Sequence, residues 1–321
     1  MVQFGYKLMS EEHGPAALVA NAVKAEAAGF DFVSISDHFH PWMEAQGHSS
    51  FAWSVLGAIA QVTTRIAITT GLTCPIVRYH PAIIAQAAAT IGLLSGNRFT
   101  LAVGAGERLN EHVTGARWPS VPERHAMLGE AIDIFRLLWK GGVHTHKGEH
   151  FEINHARLYD LPDKPIPVVM GVSGSESIKL AAEKADGIMA TEPKAEFIKG
   201  FRLKHGKGGP AYSEVALAYA PSEKAGLKLA KERFSFSALA WAVNSELPNV
   251  EGFEAAVKFI RPEDLAETIA IGPDVERHVA AVKKHIDAGF DHIALVGIGP
   301  DQDAFATFFR DELRPRLRKL V

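Results

Sequence analysis

Residues 3–36 read QFGYKLMSEEHGPAALVANAVKAEAAGFDFVSIS, and this stretch decides the fold. Phe4–Lys7 is a short β-prone run. Pro15–Ala28 follows, with Leu18, Ala22, Ala25 and Glu26 at helical spacing and Gly29 as a stop. Phe32–Ser36 is a second strand. The unit is therefore strand, helix, strand. The turn after the first strand, Lys7-Leu8-Met9-Ser10, carries no glycines, so the Gly-rich signature of an open doubly wound sheet is missing.

Outward from there the unit repeats. The next expected strands are Ile66–Thr70 and Phe99–Val103, then Pro167–Met170, Gly187–Ala190, Val215–Tyr219 and His292–Val296. Helical sequence separates them at 51–62, 81–94, 121–139, 176–184 and 273–288, and 301–320 closes the chain. Eight strands, each followed by helical sequence, are the pattern of the α/β class and of a (β/α)8 TIM barrel. Two segments break the rhythm. Residues 144–160 read as a hairpin-like insertion, and 221–261 is too long for one connection and is expected to carry extra helices. A single barrel domain over 1–321 with these two insertions is the simplest organisation.

Composition agrees with a globular chain. Apolar residues are 47%, charged residues 22%, and the formal charge is −3. That balance leaves no electrostatic footprint for nucleic acid. No apolar run approaches the ~20 residues of a membrane span, and the first residues do not read as a signal peptide. The lone Cys74 can form no internal disulfide. The expectation is a cytoplasmic protein with a small-molecule substrate.

The C-terminal ends of barrel strands carry the active site, and this rule turns the strand map into candidates. After strand two, His38 can exchange protons near neutrality or merely satisfy a loop carbonyl. Asp37 can orient a ring or bind a cofactor edge. Trp42 can offer an indole N–H to an anionic oxygen, or can simply pack. Glu107 lies in a Gly-Ala-Gly-Glu turn where the glycines let the backbone approach a ligand. The loop Gly171-Val172-Ser173-Gly174 runs into a helix, which suits a phosphate cradle or an ordinary turn. His144, His146 and His150 lack a useful carboxylate spacing for a metal site, and no metal is expected. Lys194, Lys199, Arg202, Lys204 and Lys207 read as a solvated helix face or as an anion-attracting rim.

Three strings now stand in order at strand ends: Ser36-Asp37-His38-Phe39-His40-Pro41-Trp42; Thr73-Cys74-Pro75-Ile76-Val77-Arg78-Tyr79-His80-Pro81-Ala82; and Gly104-Ala105-Gly106-Glu107 with Asn110-Glu111. Together they resemble the coenzyme F420-dependent oxidoreductases of the bacterial luciferase-like superfamily, most strongly over residues 3–140. Within it they look most like the secondary alcohol and glucose-6-phosphate dehydrogenases. The resemblance implies a dehydrogenase or reductase that moves a hydride between a deazaflavin and a small alcohol, carbonyl or sugar-type substrate. It implies His38 as base, Trp42 as the group that steadies the alkoxide, and Glu107 as acid at the ring. Asp37, Thr73, Cys74 and Asn110 would lie at the cofactor. Gly71-Leu72 would form a non-prolyl cis peptide behind the ring, and Gly171, Val172, Ser173 and Gly174 would hold the cofactor phosphate. The resemblance also implies a homodimer.

Lys194 matches one of the basic residues by which the sugar-phosphate enzymes hold phosphate. Thr268 and a residue near Asn244 stand where two others belong, which weakens the sugar-phosphate reading. Two other readings compete. One is an FMN-dependent luciferase-like monooxygenase or reductase. The other is a non-catalytic flavin-binding barrel, against which the retained His38, Trp42 and Glu107 argue.

Overall fold

A computed structural model describes residues 1–206 and 208–321. Lys207, the last residue of the basic stretch, lies outside the described residues. The strands in chain order are β1 (Gln3–Leu8), β2 (Phe32–Ile35), β3 (Ala67–Thr70), β4 (Phe99–Val103), β5 (His144–Lys147) and β6 (Glu152–Ala156). They continue with β7 (Val168–Gly171), β8 (Gly187–Ala190), β9 (Ala211–Ala218), β10 (Ala270–Ile271) and β11 (His292–Gly297).

Eight of these pair in parallel around a ring: β1, β2, β3, β4, β7, β8, β9 and β11. Phe4 sits opposite Ile293 and Ile188 opposite Ala211, which closes the sheet on itself. The result is a (β/α)8 barrel. β10 adds to the far end of β9 outside the ring, with Ile271 opposite Ala218.

Local chemistry explains the units. The helix Pro15–Ala28 starts with proline in its first turn and buries Leu18, Ala22 and Ala25. It stops at Gly29, whose φ of +84° returns its N–H to the carbonyls of Ala25 and Glu26. Inside the ring, Phe32, Ala102, Val169, Met189, Tyr212 and Ala294 form one apolar layer. The Phe32 ring fills the space above Gly5, where a Cβ would lie 2.3 Å from it. One layer nearer the mouth the filling turns polar. Lys7 pairs with Glu214 and donates to the Gly71 carbonyl at 2.5 Å.

The expected strands all appear, but β9 begins at Ala211 rather than Val215. Its first residues look like loop because Ser213 and Glu214 break the apolar run, yet each is satisfied on its own face: Glu214 reaches Lys7 inside the barrel and Ser213 faces the helix Val275–Ala288. Ser213 Oγ donates to the Ala190 carbonyl at 2.7 Å and lies 2.6 Å from His285 Nδ1. The segment 144–160 forms the antiparallel pair β5–β6, with a register shift between His144 and His146. The second insertion carries the helices Glu223–Arg233, Trp241–Asn244 and Val250–Val257, and its irregularity runs on through Pro262–Leu265 to β10. The final helix is not continuous. It passes from Gln302–Phe308 through a π turn at Phe309–Leu313 into Arg314–Leu317. Pro315 has no N–H to continue the ladder. Among the described residues no helix is long and apolar enough to cross a membrane.

Candidate active site

The loops after β1 to β4 meet at the mouth. Asp37, directly after β2, is buried and acts as their hub. Its Oδ2 accepts from Trp53 Nε1 at 3.2 Å and Thr73 Oγ1 at 2.8 Å. Its Oδ1 accepts from Arg78 Nη2 at 3.1 Å and the Tyr79 hydroxyl at 3.0 Å. Four donors fill the carboxylate's acceptor sites, so its side chain is committed to holding loops. Burial, followed by the Asp37 charge, pushes the Tyr79 phenol far above its ordinary range.

His38, next in the chain, is buried. Its Nδ1 lies 3.2 Å from the His40 carbonyl and 3.5 Å from Glu11 Oε1. Two acceptors on that side favour the Nδ1–H tautomer and leave Nε2 as the basic nitrogen. The ring meets Trp42 edge to face, with centroids 4.8 Å apart. Trp42 stacks on Phe236 at 4.9 Å and 11°, and meets the edge of Phe253 at 5.1 Å. Its indole N–H has no hydrogen-bond partner among the described residues, while its backbone N–H is held by Gln46 Oε1 at 2.8 Å. Gln46 in turn donates to the Arg233 carbonyl at 3.1 Å, which ties this loop to the second insertion.

The Gly71–Leu72 peptide bond is cis, as the resemblance implies. The Leu72 side chain occupies a slot between two glycines. A Cβ on Gly104 would lie 3.0 Å from its Cδ1 and one on Gly171 only 2.5 Å. Thr73 then bridges to Val103, donating its N–H to Ala102 at 3.0 Å and accepting from Gly104 at 2.9 Å. Cys74 is buried, and burial followed by the Glu111 charge keeps its sulfur a thiol. It packs on Gly106, where φ is +78° and a Cβ would meet Sγ at 2.5 Å.

Glu107 is half-buried at the start of the short helix Arg108–Glu111. Asn110 Oδ1 accepts from the N–H groups of Phe39 at 2.8 Å and His40 at 3.1 Å. Its Nδ2 is buried without an acceptor. An orphaned amide donor of this kind marks a place for a ligand carbonyl. Glu111 is buried too. Burial, opposed by Arg78 and reinforced by Glu107, raises its pKa to about 7.

The Gly171–Gly174 loop is more committed than its composition suggests. Ser177 Oγ accepts from the N–H groups of Ser173 and Gly174, each at 3.1 Å. What stays open to an anion is the first turn of the helix Ser175–Lys184. Lys194 pairs with Glu192. His144 and His146 are engaged with the Gly141 carbonyl at 2.7 Å and Glu130 at 2.9 Å.

Sequence reasoning passed over three contributors. Glu11 follows β1, and the same strand-end rule that singled out His38 would have reached it. Phe236 and Phe253 come from the second insertion and carry no local signal of where they pack.

The family model described as luciferase-like monooxygenase matches residues 2–292. The chain belongs to the luciferase-like family. Luciferase-like relatives include the F420-dependent glucose-6-phosphate dehydrogenase of Amycolatopsis mediterranei (strain U-32), 36% identical, with 100% of both chains covered. That of Kribbella flavida is 37% identical, with 99% of each covered. Among solved luciferase-like structures, an F420-dependent secondary alcohol dehydrogenase in complex with an F420-acetone adduct superposes with a TM-score of 0.92. It is 29% identical, with 99% of each chain covered.

Proposed function

We propose that the chain is a coenzyme F420-dependent oxidoreductase that interconverts a small, uncharged secondary alcohol and its ketone. The relatives named F420-dependent, at about a third identity over the whole chain, favour the deazaflavin over FMN. The observation that carries the substrate class is the wall around Trp42. Phe236, Phe253, Met43 and Leu109 pack there as one apolar cluster, and Lys194 is paired rather than free.

The site fits such a coenzyme on its own features. Asn110 offers a buried donor, and the slot between Gly104 and Gly171 keeps Leu72 where side chains would displace it. Asn110 and the Gly71–Cys74 turn would hold the ring, and the loop from Gly171 into its helix the phosphate. When bound, the coenzyme supplies the two-electron chemistry. The protein's share is proton handling. His38 Nε2 takes the proton of the substrate hydroxyl, while Glu11 and the His40 carbonyl hold the proton on Nδ1. The Trp42 N–H donates to the oxygen as charge grows there. Glu107 holds and returns the proton at the ring edge. The protein works in the cytosol, where its one thiol stays reduced, and as a homodimer. Light scattering at a single-chain mass would remove the dimer.

The deciding experiment titrates the protein with oxidised F420 and with FMN by tryptophan quenching. 2-Propanol, cyclohexanol and glucose 6-phosphate are then offered with the coenzyme that binds. Tight F420 binding with turnover of the alcohols is expected. Turnover of glucose 6-phosphate alone would overturn the substrate class, and tight binding of FMN alone would overturn the function.

A further inference from the structure

Arg78 belongs to the second of the three quoted strings, yet none of the roles above uses it. Its side chain is only 7% exposed, and it reaches two loops at once. On one side Nη2 donates to the Asp37 carbonyl oxygen at 2.7 Å and to Asp37 Oδ1 at 3.1 Å. On the other its backbone N–H donates to Glu111 Oε2 at 2.9 Å, and its Nε stands 3.5 Å from Glu111 Oε1. Tyr79 closes the figure, with its ring 4.5 Å from the guanidinium and its hydroxyl on Asp37.

The two carboxylates are not arbitrary anchors. Asp37 immediately precedes His38. Glu111 lies one helical turn after Glu107, directly follows Asn110, and its Cγ packs against Gly106. One rigid, planar cation thus spans the loop that carries the base and the loop that carries the acid. A lysine there could reach one side but not fork to both.

We propose that Arg78 is a positioning residue, a strut that fixes the spacing between the His38 loop and the Glu107 loop. The proposal rests on the assignment of His38 and Glu107 as the proton-handling groups. It predicts that weakening the strut loosens two loops that are distant in sequence, together, and harms turnover more than binding. Misplacement of reacting groups by about 1 Å costs on the order of a hundredfold in rate.

The test compares hydrogen exchange of the coenzyme-free full chain with that of Arg78→Lys. Amides in 37–42 and in 107–112 should both exchange faster, by about tenfold, with the barrel strands unchanged. Glu111→Gln keeps an acceptor for the Arg78 N–H but removes the charge facing Nε, and should loosen the same two segments to a smaller degree. It decides the question if Arg78→Lys does not fold. Faster exchange confined to 75–80 or to one loop, or none at all, overturns the strut. With F420 and an alcohol, Arg78→Lys should lose about 10–100-fold in kcat while coenzyme Kd stays within about threefold. Equal losses in both would make Arg78 a binding or folding residue instead. If the parent turns over no alcohol, the functional reading fails while the exchange result still judges the strut.

Discussion

Glu11 Oε1 stands 3.5 Å from His38 Nδ1, at the end of a buried chain in which Ser36 Oγ bonds Glu11 Oε2 and Ser10 Oγ bonds the Ser36 carbonyl at 2.9 Å. The carboxylate holds the imidazole in the orientation and tautomer that expose Nε2. Glu11→Gln should therefore lower kcat by about tenfold, and His38→Ala by about a hundredfold or more, with F420 affinity preserved in both. Steady-state kinetics beside a tryptophan-quenching titration checks this. A His38→Ala protein with near-parental kcat would remove the proposed base.

Trp42→Phe keeps a ring to stack on Phe236 and removes the indole N–H. We expect kcat/KM for the alcohol to fall by about tenfold or more, with Tm within a few degrees of the parent. If only Tm moved, Trp42 would be a packing residue.

Glu12 is buried; its Oε2 accepts from the Gly299 N–H at 3.1 Å, while Oε1 has no hydrogen-bond partner among the described residues and stands 4.0 Å from Arg233 Nη1. Burial raises its pKa from the ordinary value to about 7. The folded state thus holds a proton that the unfolded chain has released between about pH 4.5 and 7. The stability from that proton is complete below this window and is lost as pH rises through about 7. His13, lowered to about 4 by burial, runs the opposite way in the same range, so the parent's own profile mixes the two. The difference between Glu12→Gln and the parent isolates the carboxyl. Glu12→Gln should match the parent's stability near pH 4 and exceed it at pH 8 by about 1–3 kcal/mol. Equal Tm differences at both values would refute the assignment.

Lys7→Met removes the cation from inside the barrel and leaves the largely buried Glu214 without its partner. The Gly71 carbonyl loses its donor as well. Loss of one member of such a pair costs about 3 kcal/mol. Lys7→Met/Glu214→Leu should regain most of it. Urea denaturation of the two variants measures both numbers. A single variant as stable as the parent would mean that the pair contributes little.

How much of this was legible in the sequence depended on which way each side chain faces. Strands such as Phe99–Val103 announce themselves by a run of mainly apolar residues, broken only by Thr100. The start of β9 did not, because it buries a polar residue on each face: Glu214 meets Lys7 inside the barrel, and Ser213 meets the Ala190 carbonyl and His285 on the helix side. Asp37 stood out as a candidate in the sequence, but its environment did not. The donors that fill its carboxylate come from positions 53, 73, 78 and 79, which only the ring of strands gathers. The loop from Gly171 was legible as a small-residue turn running into a helix, whereas the capture of its N–H groups by Ser177 depends on one rotamer. Phe236 and Phe253 lie some two hundred positions from Trp42, and nothing in their neighbourhood announces that contact.

The stacking of Phe236 on Trp42 has an evolutionary consequence. Glu11, His38, Trp42, Glu107 and Asn110 all lie within the first 110 residues, while the aromatic surface that covers Trp42 is delivered by a later excursion between β9 and β10. Mutation can therefore remodel that excursion, lengthening it or changing its aromatics, without rewriting the residues proposed to move protons. A lineage that inherits residues 1–110 intact is free to explore new substrates one segment at a time, and a laboratory chimera that exchanges residues 221–261 between two members should inherit the selectivity of the donor and the chemistry of the recipient.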